Sequence, residues 1–96
     1  MATTKYRPKP TSRFRKDVKA LVRRGYNMEL LEGVLDKLLT GQPLDEKYCD
    51  HPLKGKLLGC RGCHIAPDWV LVYKISNNNV FLYLMQTGSH ADVYRM

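Results

Sequence analysis

The chain has 96 residues, 44% of them hydrophobic, and a formal net charge of +7. This is the length of one domain with one core (residues 1–96), and the apolar fraction excludes a disordered chain. No apolar run approaches the ~18–20 residues of a membrane span, and the N-terminal residues lack the apolar stretch of a secretory signal. We therefore expect a cytoplasmic protein with no membrane partner.

The positive charge is concentrated at the start of the chain. Nine of the sixteen basic residues fall in the first 24 positions, where Asp17 is the single acid. Residues 1–11 form a basic N-terminal extension or an edge strand, which Pro8 and Pro10 would keep short or irregular. Charge alone leaves three interpretations open: a solvated face, a nucleic-acid surface, or a surface for an acidic protein.

Two amphipathic helices are predicted next. Ser12 is the expected N-cap of the first and Gly25 its stop, while Asn27 caps the second, which Gly41 and Pro43 end. The short connection predicts an antiparallel helical hairpin. The apolar stripes are Phe14, Val18, Leu21 and Val22 in the first helix, and Leu30, Leu31, Val34, Leu35, Leu38 and Leu39 in the second. The first helix also has a basic outer face: Arg13, Arg15, Lys16, Lys19 and Arg23.

The second half of the chain has the pattern of a small antiparallel sheet. Residues 42–56 are predicted to be a loop, and residues 57–65 a strand weakened by glycine. Two apolar runs, 70–75 and 80–85, flank the asparagine-rich turn 76–79 and predict a central hairpin. The fold class is therefore α+β, with the helical hairpin packed on a small, mostly antiparallel sheet.

This topology gathers distant polar residues. Asp68 and Trp69 precede one hairpin strand and His90 follows the other, so all three lie at the same end of the sheet. His64 closes the preceding strand at that end, and His51 lies on a loop that can fold over it. Three imidazoles and a carboxylate on a basic protein indicate acid–base chemistry on a polyanion.

The three cysteines, Cys49, Cys60 and Cys63, suggest other chemistries. Cys60-Arg61-Gly62-Cys63-His64 reads as the c-type haem string C-x-x-C-H, with Met85 or Met96 as a second axial ligand. The same residues with Cys49 and His51 offer zinc ligands, although a second paired knuckle is missing. We favour reduced thiols that serve as small, semi-buried packing residues, and we expect neither a metal nor a cofactor.

The ordered strings of the second half resemble the YafQ branch of the RelE/ParE toxin superfamily. These strings are Asp50-His51-Pro52-Leu53, Lys54-Gly55, Arg61-x-Cys63-His64-Ile65-x-Pro67-Asp68-Trp69, Val72-Tyr73 and Thr87-Gly88-Ser89-His90-Ala91-Asp92. The resemblance spans Phe14 to Tyr94, and the basic start has no evident counterpart in the family.

The resemblance implies a RelE-like fold, with two N-terminal helices over a four-stranded, mostly antiparallel sheet. It also implies the toxin of a bacterial type II toxin–antitoxin pair, a ribosome-dependent endonuclease that cuts mRNA in the ribosomal A site without a metal. The implied partners are mRNA, ribosomal RNA and a cognate DinJ- or RelB-like antitoxin, expected to be ribbon-helix-helix. Operator DNA would be reached only through that antitoxin.

The resemblance further implies the site residues. His90 is expected to be the general acid and Asp68, supported by His64, the base, while His51 and Arg61 stabilise the charged phosphorane. Assigning the base instead to His51 or His64 fits the sequence equally well. The expected substrate-binding residues are Lys54, Lys56, Arg61, Trp69, Gln86 and Tyr94, with Trp69 and Tyr94 stacking on bases. The basic helix face, Arg13, Arg15, Lys16, Lys19 and Arg23, is expected to contact the ribosome or the antitoxin.

Two positions depart from the family pattern. Gly62 replaces a usual acid, and Gln86 replaces a usual arginine, which removes a bidentate phosphate ligand. These departures keep an alternative open, namely a non-catalytic binding module that acts with its antitoxin as a DNA-bound corepressor.

Overall fold

The computed structural model describes residues 4–94. The helices are α1 (Ser12–Arg23), α2 (Met28–Leu39) and the short α3 (His90–Val93). The strands are β1 (Arg7–Pro10), β2 (His51–Pro52), β3 (Arg61–Ala66), β4 (Trp69–Ile75) and β5 (Phe81–Gly88). The fold class is α+β, as predicted.

The five strands form one mixed sheet in the order β1-β5-β4-β3-β2. β1 pairs with β5 in parallel, and the other neighbours are antiparallel. The prediction of four strands is therefore wrong by one. β2 was missed because its two residues lie inside the segment 42–56, which has no apolar pattern and which we predicted to be a loop.

Local capping chemistry determines where the helices begin and end. The Thr11 hydroxyl, rather than that of Ser12, accepts the Phe14 N–H at 3.0 Å and caps α1. Asn27 caps α2 as predicted, accepting the Glu29 N–H at 3.0 Å. Gly41 follows α2 with a positive φ of 76°, a conformation that glycine adopts without steric cost.

Both long helices pack on one face of the sheet, where α1 lies mainly against β5 and α2 against β3. The short 24–27 turn joins them as predicted, but each helix makes its main contacts with the sheet, so the hairpin prediction is only partly right. Val22 and Leu30, assigned to the apolar stripes, are 54% and 47% exposed. The principal core consists of residues such as Phe14, Leu21, Leu31, Val34, Leu71 and Leu82.

The opposite face of the sheet has a smaller apolar cluster. Val70 and Val72 are fully buried there beneath Leu53 and Cys60 from the 53–60 segment and Val93 from α3. This second layer places α3 over the end of the sheet where β4 begins and β5 ends. No helix within residues 4–94 is long and apolar enough to cross a membrane.

Candidate active site

His90 is held at the first position of α3 by local capping and by Asp68. The Ser89 side chain accepts the Asp92 N–H while the Asp92 carboxylate accepts the Ser89 N–H, which forms a capping box. Asp68 lies in the turn between β3 and β4. Its Oδ1 accepts both the His90 backbone N–H, at 3.1 Å, and Nδ1–H of the His90 ring, at 2.8 Å. Position and orientation of this imidazole are therefore both fixed.

His64 extends this contact into a chain of three groups. Its Nε2 lies 3.2 Å from Nε2 of His90, and the two ring centroids are 4.9 Å apart in an edge-on arrangement. Because Nδ1 of His90 donates to Asp68, one proton lies between the two Nε2 atoms. The two imidazoles can thus exchange a proton, and Asp68 holds His90 in place for this exchange. We call Asp68, His90 and His64 the relay.

The electrostatics of Asp68 oppose its predicted role as base. The hydrogen bonds from the His90 side chain and then from its backbone lower the pKa of Asp68 below its usual value. A carboxylate of lowered pKa that already accepts two hydrogen bonds is a weak proton acceptor. It is instead well suited to hold His90 in place through these two hydrogen bonds.

His51 lies on the same face of the sheet as His64 without joining the relay. It is exposed on β2 opposite Gly62, two residues before His64 on β3. Its Nδ1 lies 2.6 Å from the Cys49 carbonyl, which can only accept, so Nδ1 has the proton. In the neutral ring, Nε2 is therefore the free proton acceptor. The predicted gathering of three histidines at one end is confirmed for His64 and His90, and His51 lies along the adjoining edge.

Tyr94 follows α3 and packs beside His90, with ring centroids 5.8 Å apart. The ring is part exposed, but its hydroxyl is buried and has no hydrogen-bond partner among residues 4–94. Burial raises the pKa of Tyr94. A Cβ at Gly62 would lie 2.7 Å from this hydroxyl. The missing side chain at Gly62 therefore makes the space that the Tyr94 hydroxyl fills.

A groove of about 930 Å³ lies between α1, the 54–57 segment and α3. None of the relay side chains lines it, and Tyr94, which packs beside His90, connects the groove with the relay. The groove brings together four of the residues predicted to bind substrate: Lys54, Lys56, Gln86 and Tyr94. α1 forms the other wall, where Arg13 and Arg24 face the groove. Asp17 and Asp92 also line it, but their charges are partly neutralised by ion pairs with Arg13, at 3.0 Å, and Arg24, at 3.2 Å. The groove is thus positive overall, which suits an anionic ligand.

Arg61 faces away from the relay. Side chains alternate along a strand, so Arg61 faces the helices while Gly62 and His64 face the other way. Its Nε lies 3.2 Å from Asp50, whose carboxylate also accepts the Tyr73 hydroxyl at 2.8 Å. This ion pair holds the Arg61 guanidinium on the face of the sheet opposite the relay, and its role in binding substrate and stabilising the phosphorane stays a prediction.

Trp69 is a core residue rather than a stacking surface. It is 3% exposed, and its ring packs edge-on against Tyr26 with the centroids 5.0 Å apart. The indole N–H donates to Thr87 at 2.9 Å, and the Thr87 hydroxyl donates to the Val70 carbonyl at 2.8 Å. The predicted stacking of a base on Trp69 does not fit this burial.

The haem-like string does not form a ligand set. Cys63 is fully buried on the helix side, and burial raises the pKa of its thiol to about 12. His64, the next residue, leaves the other face, and Cys60 is buried in the smaller cluster. Within residues 4–94, no three histidine, cysteine or acidic side chains converge as metal ligands.

Two residues that position the site were missed from the sequence. Asp92 closes the capping box and pairs with Arg24, tying α3 to the end of α1. The spacing Ser89-x-x-Asp92 is that of a capping box and was available as a signal. The Arg24 contact joins residues 68 positions apart, and no local pattern reports it. Arg15, Lys16, Lys19 and Arg23 are exposed along α1, as the helical pattern predicted.

Fold and site together define a small basic α+β protein with a carboxylate–imidazole–imidazole relay and a positive groove. This arrangement is suited to acid–base cleavage of an anionic polymer. The chain belongs to the YafQ family, described as the bacterial toxin of a type II toxin–antitoxin system, which matches residues 6–95. The match includes β1, and so it covers residues 6–11 of the basic N-terminal segment, which we expected to have no counterpart in the family.

Characterised relatives and solved structures agree with this assignment. The chain is 35% identical over 85 residues to the mRNA interferase toxin YafQ of Escherichia coli K12, covering 88% of this chain and 90% of that protein. The E. coli DinJ–YafQ toxin–antitoxin complex matches with a TM-score of 0.85 at 33% identity, over 94% of this chain and 98% of that one. A metal-bound toxin from Helicobacter pylori matches with a TM-score of 0.85 at 43% identity, over 92% and 98%.

The metal of the Helicobacter toxin has no fitting ligand set in the described part of this chain. The relay offers two Nε2 atoms 3.2 Å apart, and Asp68 faces the opposite nitrogen of His90. Protein sites for transition metals use three or four converging side chains.

Proposed function

We propose that this chain is the toxin of a type II toxin–antitoxin pair and acts as an mRNA interferase, a ribosome-dependent endoribonuclease. Family membership and the relative's established name support the class of enzyme. The relay of Asp68, His90 and His64, together with a groove sized for a ligand, is the observation that carries the proposal. The relay supplies a positioned acid and His51 on the adjoining edge supplies a base, the two groups that cleavage of RNA through the ribose 2′-OH requires.

His90 is the general acid in this proposal, and Asp68 is a positioning residue. Asp68 accepts Nδ1–H of His90 and so fixes the tautomer and the orientation of the ring. In its acid form, His90 presents the proton on Nε2 to the 5′-oxygen that leaves the phosphorus. His64, in contact with the same nitrogen, exchanges the proton with His90 between turnovers.

His51 is the general base. In-line attack places base and acid on opposite sides of the phosphorus, so two imidazoles in direct contact cannot fill both roles. His51 is separated from His64 by two residues along a strand (~7 Å) and one step across it (~5 Å), so it does not contact the relay and can act from the other side of the phosphorus. Its free Nε2 takes the proton of the 2′-OH, the 2′-oxygen bonds to phosphorus, and the bond to the 5′-oxygen breaks. The products are a 2′,3′-cyclic phosphate and a 5′-hydroxyl.

The groove binds the substrate strand. Lys54 and Lys56 contact phosphates, Gln86 hydrogen-bonds where the family usually has arginine, and the exposed part of the Tyr94 ring stacks on a base. The exposed cations of α1 bind ribosomal RNA, which explains why cleavage would depend on the ribosome.

The antitoxin is proposed to inhibit by covering the same positive surfaces with an acidic segment. The E. coli YafQ relative is seen in complex with DinJ. A DinJ- or RelB-like partner of this chain would likewise link it to operator DNA.

Cleavage of mRNA on purified ribosomes as a function of pH tests these roles. The parent should give a bell-shaped rate profile, since the base must be deprotonated and the acid protonated. His51→Ala should lose the rise on the acidic side and His90→Ala the fall on the alkaline side, each with a ~10²–10⁴-fold lower rate. Glu32→Gln, on the exposed side of α2, is the matched control.

Other outcomes would reject parts of the proposal. Unchanged cleavage by His90→Ala would show that His90 is not the general acid. If the rate of His51→Ala still rose with pH on the acidic side of the profile, the role of general base would return to His64. Operator binding with the antitoxin, but no cleavage by the parent, would favour the non-catalytic corepressor.

A further inference from the structure

A second group of aromatic and basic side chains lies at the other end of the sheet from the relay. Phe81 and Tyr83 leave β5 on the face opposite the long helices, with ring centroids 6.3 Å apart. On β1, Arg7 is in register with Phe81 and Lys9 with Tyr83, while Lys74 of β4 is in register with Tyr83 from the other side. We call these five residues the aromatic patch.

The patch is accessible to solvent, and all of its charged side chains are positive. Arg7, Lys9 and Lys74 are exposed, and both rings are partly exposed. The Lys9 ammonium lies 4.7 Å from the centroid of the Phe81 ring. From residue 51 to residue 90 the single carboxylate is Asp68, at the opposite end of the strands. An occupant of this surface should therefore be an anion that also presents flat apolar faces.

Protection of the sheet edge explains only part of the arrangement. Prolines and lysines on an edge strand discourage pairing with other chains, which accounts for Pro8, Lys9 and Pro10. It does not account for two neighbouring aromatic rings, which remain partly exposed on the face of the sheet. Rings on a sheet surface framed by cations are how proteins bind single-stranded RNA without base-pair readout.

We propose that the aromatic patch is a binding platform for single-stranded RNA, on which two bases stack against Phe81 and Tyr83 while Arg7, Lys9 and Lys74 contact phosphates. The Lys9 ammonium moves from the ring to a phosphate when a base takes its place. Tyr83 is five residues from the end of β5, about 17 Å at the usual rise, so a strand of a few nucleotides reaches both patch and relay. Identifying the strand as mRNA rests on the proposed function; the binding itself does not.

The test measures binding without cleavage, in the full chain with His90→Gln. The probe is a fluorescein-labelled ten-nucleotide oligouridylate, titrated by anisotropy at several salt concentrations. Phe81→Leu and Tyr83→Leu should each weaken binding roughly 5- to 100-fold, the usual effect of losing one stacked base. Arg7→Gln, Lys9→Gln and Lys74→Gln should each lower the slope of log affinity against log salt by ~0.7. Val80→Ala and Lys47→Gln, exposed positions outside the patch, are matched controls.

A second measurement uses the parent alone, so that it remains decisive if the leucine variants do not fold. Photocrosslinking of 4-thiouridine oligonucleotide to the parent, followed by peptide mapping, should mark residues 81–83 of β5. Crosslinks confined to the groove, or folded leucine variants that bind like the parent, would overturn the proposal. The proposal would also be overturned if these leucine variants lost as much affinity for duplex RNA or for a polyglutamate peptide. That result would show that the patch binds anions through charge alone, without stacking. If the patch binds RNA but the parent never cleaves mRNA, the platform stands and the proposed function falls.

Discussion

The contact between Tyr94 and Gly62 leads to an unusual prediction, that removing a hydroxyl near the site stabilises the protein. The Tyr94 hydroxyl is buried and unpartnered among residues 4–94. Such a group costs about 1–3 kcal/mol, because its hydrogen bonds to water are lost on folding and not replaced. Tyr94→Phe should therefore raise the free energy of unfolding by about that amount. In a domain of this size, 1 kcal/mol corresponds to a Tm increase of about 4–8 °C.

Gly62→Ala should have the opposite effect in the parent and little effect in the Tyr94→Phe variant. Its Cβ would lie 2.7 Å from the Tyr94 hydroxyl, an overlap that costs about 1–3 kcal/mol. Without the hydroxyl, the nearest remaining atom is the end of Leu53, at 3.1 Å, which can adjust. The two substitutions should therefore couple by about 1–3 kcal/mol.

Urea unfolding of the parent, both single variants and the double variant measures this coupling. Cleavage by Tyr94→Phe should be retained, because the ring next to His90 is unchanged. A destabilised Tyr94→Phe variant would show that the hydroxyl has a partner, and additive effects of the two substitutions would show that they do not touch. Either result would refute the reasoning.

Three further predictions concern other groups. Hydrogen bonds from Ser89 lower the pKa of Asp92 in the folded protein. The ionised Asp92 carboxylate therefore stabilises the folded state fully above its unfolded pKa (~3.9), and this stabilisation is lost as pH falls through the lower folded value. Thermal melts between pH 6 and 2.5 should show a smaller Tm decrease for Asp92→Asn than for the parent. Native alkylation at pH 8 should modify exposed Cys49 and spare buried Cys63, whose pKa is about 12, as peptide mass spectrometry would detect. Arg61→Ala should lower the Tm but leave cleavage by folded protein unchanged; lost cleavage at an unchanged Tm would support its substrate role.

Patterns within a few residues predicted the secondary-structure elements and the chemical character of the site. Helical spacing, the Asn27 cap and the 76–79 turn act over a few residues, so their patterns predicted both long helices and the central hairpin. Family strings pointed to His64, Asp68 and His90, and the hairpin topology brought the last two to one end of the sheet.

Which face of the sheet a side chain occupies, and what it contacts there, depends on how distant segments pack together. The alternation of β3 separates Arg61 from His64, and this depends on which face the helices cover. Trp69 is conspicuous in the sequence but lies in the core, where Thr87 satisfies its indole. The Arg24 contact with Asp92 and the Tyr94 hydroxyl above Gly62 join distant segments, so local patterns contain no information about them.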